Sequence, residues 1–187
     1  VDLLKIRALR NVRRFNFEHC IHYQSVAEHS FFVALITREL VKVMNGRRPF
    51  PSYPDTCMES ALLHDLTESV LGDIPYLVRK NMDIKALADL EGMAERELDI
   101  VHDMACPSSV ANVVEYADAL ELALYLKEER ELGNTTLIDI EKETWGRLVV
   151  MLNGEPAPEF VWASELLGIS TFTMTSNQKE IHSGLKH

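Results

Sequence analysis

The chain is expected to be all-α, a single-domain helical bundle. Apolar residues recur at three- and four-residue spacing through most of its length, and no segment keeps a period-two alternation. Asn-Gly, Gly-Asn and proline clusters interrupt the periodic stretches at intervals that suit helices. At 187 residues there is enough chain for one real core, and 47% hydrophobic with 26% charged residues excludes a disordered protein. No internal repeat or interdomain linker is evident, so residues 1–174 are expected to form one domain and the polar residues 175–187 a flexible tail.

In order along the chain, a first helix is predicted over 3–10, followed by an ordered loop over 15–23, rich in aromatics and His without a regular period. A second helix starts at Ser25, which with Glu28 three residues later forms a capping-box pattern, and runs to Met44 before Asn45-Gly46. Three prolines make 47–54 a connector, and Asp55 can cap a third helix that extends to Leu71. Gly72-Asp73-Ile74-Pro75 reads as a turn. Further helices are predicted over 84–104, 108–132, 140–152 and 158–167.

Charge and cysteine content narrow the function. The net charge of -10 argues against binding a nucleic-acid polymer, which demands a basic surface. It does not exclude a small phosphorylated ligand, and Lys5, Arg7, Arg10, Arg13 and Arg14 cluster near the start, with a solvated helix face as the alternative reading. No apolar run approaches the ~18 residues of a membrane span, and no export signal is seen, so no membrane partner is expected. Three scattered cysteines without a C-x-x-C pair suit a reducing cytoplasm, the host's if the protein is viral.

Four polar residues fall where apolar ones are expected. His29 shares a helix face with Phe32, Val33, Ile36 and Leu40, His64 and Asp65 interrupt Ala61-Leu62-Leu63, and Asp118 lies on the stripe of Val114, Leu122 and Tyr125. Taken singly, each is more simply a satisfied core residue. Taken together, one divalent cation would offset the burial cost of all four, since imidazole nitrogen and carboxylate oxygen are both good ligands. Two His and two Asp leave two octahedral positions free, which suits a catalytic ion. Mn, Co or Fe is preferred for such a set, with Mg and Zn as alternatives. Glu68, four residues after His64, could hold or deprotonate an attacking water without being a ligand.

The segments Gln24-Ser25-Val26-Ala27-Glu28-His29-Ser30, Ala61-Leu62-Leu63-His64-Asp65 and Tyr116-Ala117-Asp118, in that order, resemble the HD-domain phosphohydrolase superfamily. The match is closest to its small deoxynucleotide hydrolases, the bacterial 5'-deoxynucleotidases and the phage dATP triphosphohydrolases. It includes the Arg14-Phe15 pair, the His64-Asp65-Leu66-Thr67-Glu68 step and Gly72-Asp73-Ile74-Pro75. The resemblance implies a metal on His29, His64, Asp65 and Asp118, with Glu68, Arg14 and Asp73 as the catalytic group. It also implies that Arg14, Phe15, Asp73 and Pro75 line the substrate site, Arg14 on phosphate and Asp73 on the sugar 3'-hydroxyl; Arg79, just past the turn, could add charge there, with an ordinary solvated residue as the alternative. A guanidinium suits phosphate, and a turn carboxylate can accept a hydroxyl proton. Phe15 stands where Trp is expected; it can still stack on a base but lacks the indole N–H.

The expected function is therefore metal-dependent hydrolysis of 2'-deoxyribonucleotides. The text at 24–29 and Glu129-Arg130-Glu131-Leu132-Gly133-Asn134 leans towards the phage type, a dATP or dNTP triphosphohydrolase. The alternatives are a 5'-deoxynucleotidase acting on monophosphates and a non-catalytic nucleotide-binding regulator. Relatives of this size imply a homo-oligomer.

Overall fold

Two long helices, Val26–Asn45 (α2) and Ser108–Glu131 (α7), form the centre of the fold, with Pro54–Leu63 (α3) and Ile138–Met151 (α8) packed against them. The computed structural model describes residues 2–45, 54–100 and 108–151. The smaller elements are Leu3–Ile6 (α1), a 3₁₀ turn at Arg7–Asn11, Glu68–Leu71 (α4), Tyr76–Asn81 (α5) and Ile84–Glu97 (α6). Among the described residues the only β pairing is an isolated antiparallel bridge between Arg13 and Ser25. The all-α expectation holds. The helix expected over 158–167 and the tail at 175–187 lie outside the described residues.

The central core joins Val33, Ile36 and Leu40 of α2, Cys57 and Ala61 of α3, Val113, Ala117 and Leu120 of α7, and Leu148 of α8. Small residues in α7, notably Ala117, Ala119 and Ala123, are fully buried, and their lack of bulk lets neighbouring helices come close. Phe32, expected on the buried face of α2, is half exposed, while Val33, Ile36 and Leu40 are buried as expected. A second cluster of Leu9, Val26, Leu66 and Leu98 ties the N-terminal turn and the end of α6 to the start of α2.

The capping box of α2 forms as read: Ser25 N–H donates to Glu28 Oε2 at 2.8 Å, and Glu28 N–H donates to Ser25 Oγ at 3.2 Å. Three expected elements are corrected. The first helix gives way after Ile6 to 3₁₀ geometry. The helix expected over 84–104 ends at Glu97 in a Schellman turn, with Ile100 N–H donating to the Glu95 carbonyl and Asp99 at φ 53°. An Asp in the left-handed conformation fills the role that a Gly would signal in sequence, which hid this stop. Gly133, at φ 98°, plays that role openly after α7.

The third correction matters most. The helix starting at Pro54 does not run to Leu71 but stops at Leu63, before His64 and Asp65. His64 Nδ1 lies 2.6 Å from the Ala61 carbonyl, the acceptor that a regular helix would offer to the N–H of residue 65. Three-residue turns follow, including Leu66 N–H to the Leu63 carbonyl and Glu68 N–H to the Asp65 carbonyl, before α4. Helix α5, after Pro75, was not expected from sequence; its six residues carry no full apolar period.

Candidate metal centre and active site

His29 comes from the first turn of α2, His64 and Asp65 from the break after α3, and Asp118 from the middle of α7. The fold brings all four together. Ligand atoms of His29, His64 and Asp118 lie within 4.8 Å of one another. His29 Nε2 is 3.2 Å from Asp118 Oδ1 and 3.6 Å from Asp65 Oδ2, and His64 Nε2 is 3.1 Å from the same Asp65 oxygen.

Two buried atoms decide whether an ion fits. His29 Nε2 and His64 Nε2 are both shielded from solvent and have no hydrogen-bond partner. Buried polar nitrogens are rarely left this way, and here both face the same pair of carboxylates. A nitrogen pair and a carboxylate pair around one point is a donor set for a divalent transition metal. The residues fit the ion.

The electrostatics agree. Burial alone would raise Asp118, yet the close approach of His29 and the charges of Arg14, His29 and His64 hold it well below the usual carboxylate range. Asp65 is likewise lowered against the effect of burial, by His64, His29 and Arg14. Burial would lower His64, but Asp65, Asp118 and the Ala61 carbonyl raise it. Glu68 behaves oppositely. Its burial, reinforced by the nearby charges of Asp65 and Asp73, pushes it up to about 8. An acid poised near neutrality beside a ligand cluster suits proton transfer.

The expected substrate residues fall unevenly around this centre. Asp73 reaches it and accepts the Phe15 backbone N–H at 3.1 Å through Oδ2; burial raises its pKa, opposed by Arg14 and that N–H. Phe15 has φ 56°, and its ring stacks on Tyr125 at 5.4 Å with 9° between planes, so one face is already covered. Arg14 stands at the inner wall, with Nη1 against His29 Nδ1 and 3.3 Å from Glu121 Oε2. Pro75 precedes α5 at the end of the turn. Arg79 is half exposed and pairs with Glu91 at 3.5 Å, while remaining near enough to Glu68 to oppose its pKa rise.

Sequence reasoning missed several residues here. Glu121, only 4% exposed, accepts from Gln24 Nε2 at 2.6 Å and meets His29 Nδ1 at 2.5 Å. Its signal was available: it stands three residues after Asp118, on the same face of α7. Arg147 of α8 was also missed; it lies 3.9 Å from Asp118 Oδ2 and pairs with Glu115 at 3.3 Å. Glu129 and Asn134 proved to be braces for the loop at 19–22. Glu129 accepts the N–H groups of Ile21 at 2.8 Å and His22 at 2.6 Å, and Asn134 donates to Glu129 and to the His19 carbonyl.

The 5'-deoxynucleotidase YfbR-like family model matches residues 3–161. The chain belongs to this HD-domain family. A 5'-deoxynucleotidase of Shewanella oneidensis is 29% identical over 186 residues, covering 91% of this chain and 92% of that protein. A dATP triphosphohydrolase of Acinetobacter phage SH-Ab 15497 is 30% identical over 116 residues, covering 56% of this chain and 57% of the phage protein. Among solved structures, the cyanophage S-2L HD phosphohydrolase DatZ, bound to dA and one catalytic Zn2+, has a TM-score of 0.67 at 19% identity, covering 96% of this chain and 98% of that one. The chain is thus an HD-domain hydrolase of deoxynucleotides. Among its described residues no helix is long and apolar enough to cross a membrane.

Proposed function

We propose that this YfbR-like protein hydrolyses the phosphate ester or anhydride of 2'-deoxyribonucleotides at a metal centre of His29, His64, Asp65 and Asp118, with a lean towards dATP or dNTP triphosphate substrates. The observation that carries the hydrolytic reading is the pair of unpartnered buried His nitrogens facing two carboxylates, with Glu68 buried beside them.

The ion, when bound, supplies Lewis-acid stabilisation of charge on a phosphoryl oxygen. Glu68, ionised when a cation is held beside it, takes the proton from the attacking water. Arg14 offsets negative charge that shifts on the transferring group. Asp73, with Oδ1 not used by Phe15, accepts the sugar 3'-hydroxyl, and Pro75 fixes the turn that holds it. Phe15 offers the base its ring face away from Tyr125, and Arg79 adds positive charge at the outer edge.

Two observations support the triphosphate lean. Arg147 beside Asp118 adds a second guanidinium to Arg14, which suits a chain of phosphates better than one. A phage protein named as a dATP triphosphohydrolase is also 30% identical to this chain over 116 residues. The monophosphate reading rests on the long alignment with the Shewanella enzyme. A regulator that had lost catalysis would lack a ligand or the acid, and none is missing. The ion proposed is Mn, Co or Fe in preference to Mg or Zn. Homo-oligomeric assembly and a cytoplasmic location complete the proposal.

The test is a panel of deoxynucleoside mono- and triphosphates, with matching ribonucleotides, assayed with Mn2+, Co2+, Mg2+ and Zn2+. Inorganic triphosphate released from dATP supports the triphosphate reading. Turnover of monophosphates alone overturns it, and no turnover of any deoxynucleotide overturns the hydrolase.

The sugar contact has its own test. Asp73→Asn turns one acceptor oxygen into a donor, and a hydroxyl bond to charge contributes about 1.5–3 kcal/mol. Expected is a roughly 10- to 100-fold loss in kcat/KM for the 3'-hydroxyl substrate, with much less for the 2',3'-dideoxynucleotide. Equal losses for both sugars with a lower Tm would reduce Asp73 to its bond with Phe15.

A further inference from the structure

Helix α7 contacts both nitrogens of one imidazole. Asp118 meets His29 Nε2 at 3.2 Å, and Glu121, one turn later on the same face, meets Nδ1 at 2.5 Å. We propose that Glu121 is a positioning residue that holds His29 as its Nδ1–H tautomer, leaving the Nε2 lone pair free for the ion. This rests on the metal reading given above.

The argument is one of donors and acceptors. An ionised carboxylate can only accept, so pairing with Glu121 requires that Nδ1 carry the proton. Nε2 must then be unprotonated, and it is the nitrogen that faces Asp118 and Asp65 without a hydrogen-bond partner. His29 has no exposed surface, so no water can substitute for either contact. Glu121 is itself fixed. Gln24 Nε2 donates to Oε1 at 2.6 Å, while Arg14 Nη1 shares Oε2 at 3.3 Å. Each carboxylate oxygen therefore has a donor, and the ring is held in rotation as well as in tautomer. Ligating histidines commonly owe their orientation and basicity to such a partner. Arg14 also touches Nδ1, and the opposite arrangement, Arg14 donating to that nitrogen, would put the proton on Nε2 and block metal binding.

The experiment uses the full chain, freed of metal by chelation. Long-range 1H–15N correlations should show His29 protonated at Nδ1 and bare at Nε2. Co2+ titration against a chromophoric chelator should give Glu121→Gln a Kd raised about 10- to 100-fold with Tm nearly unchanged. Glu121→Leu, which removes the acceptor, should move the proton to Nε2; if that variant does not fold, Glu121→Gln decides. Wild-type affinity in Glu121→Gln, or a proton on Nε2 in the wild type, overturns the proposal. If the wild type itself takes up no Co2+, the metal reading fails, and the nitrogen spectrum still shows whether Glu121 sets the tautomer.

Discussion

Replacing either His64 or Asp118 with Ala is expected to abolish turnover and lower bound metal to background. Each variant removes one of the four proposed ligands, and the loss is expected to exceed a missing bond because the four groups are coupled. His64 Nε2 and His29 Nε2 both lean on Asp65, and His29 Nε2 also leans on Asp118. Without one member the remaining buried groups lack the cation that would offset their burial, so affinity falls steeply. Asp118→Ala also removes the neighbour that Arg147 faces. Metal analysis and phosphate release measured on the same samples check this. Full metal content with full activity in both variants would remove the ligand assignment.

Glu68→Gln is expected to separate catalysis from stability. As the acceptor of the water proton, Glu68 should contribute about 10²–10⁴-fold to turnover, while Gln keeps the shape and leaves the ion bound. Stability should move the other way. The native pKa of about 8 lies above the ordinary 4.5, so between these values the unfolded chain is ionised while the native Glu68 keeps its proton. More protons on the native side make stability fall as pH rises through that window. Gln carries no such dependence. The metal-free variant should therefore be more stable than the metal-free wild type at pH 8, by on the order of a few kcal/mol in unfolding free energy, and the gap should close towards pH 4.5. Metal loss in parallel with activity would make Glu68 a ligand instead.

The parts of the fold that could be read in advance are those written in local chemistry. The Ser25–Glu28 capping box, the Gly133 stop and the extents of α2, α7 and α8 follow from caps and periodicity within a few residues. The juxtaposition proposed to hold the ion was legible for a related reason: His29, His64, Asp65 and Asp118 stood out as polar residues on apolar faces. What escaped were competitions between side chain and backbone. His64 takes an acceptor from its own helix, which no period reveals, and Asp99 accepts a left-handed conformation usually left to Gly. Glu121 and Glu129 escaped because their partners lie about 90 to 110 residues away in the chain. Acids inside a helix pattern look solvated until the neighbouring element is known.

The Glu129 brace has a consequence for motion. A stretch without helix or strand such as 14–24 would ordinarily open on its own and exchange its amide protons within seconds. Here the amides of Ile21 and His22 donate to a carboxylate that is 1% exposed and rooted in α7. Burial alone would raise Glu129, but Asn134 and these two N–H groups hold it below its ordinary range, so it stays an acceptor. Tyr125, on the same helix, donates its hydroxyl to the His22 carbonyl while its ring supports Phe15. Deuterium should therefore enter Ile21 and His22 at rates set by the unfolding of α7, far slower than their irregular backbone suggests. The segment carrying Arg14 and Phe15 is then expected to open only together with α7, to which Glu129 and Tyr125 tie it.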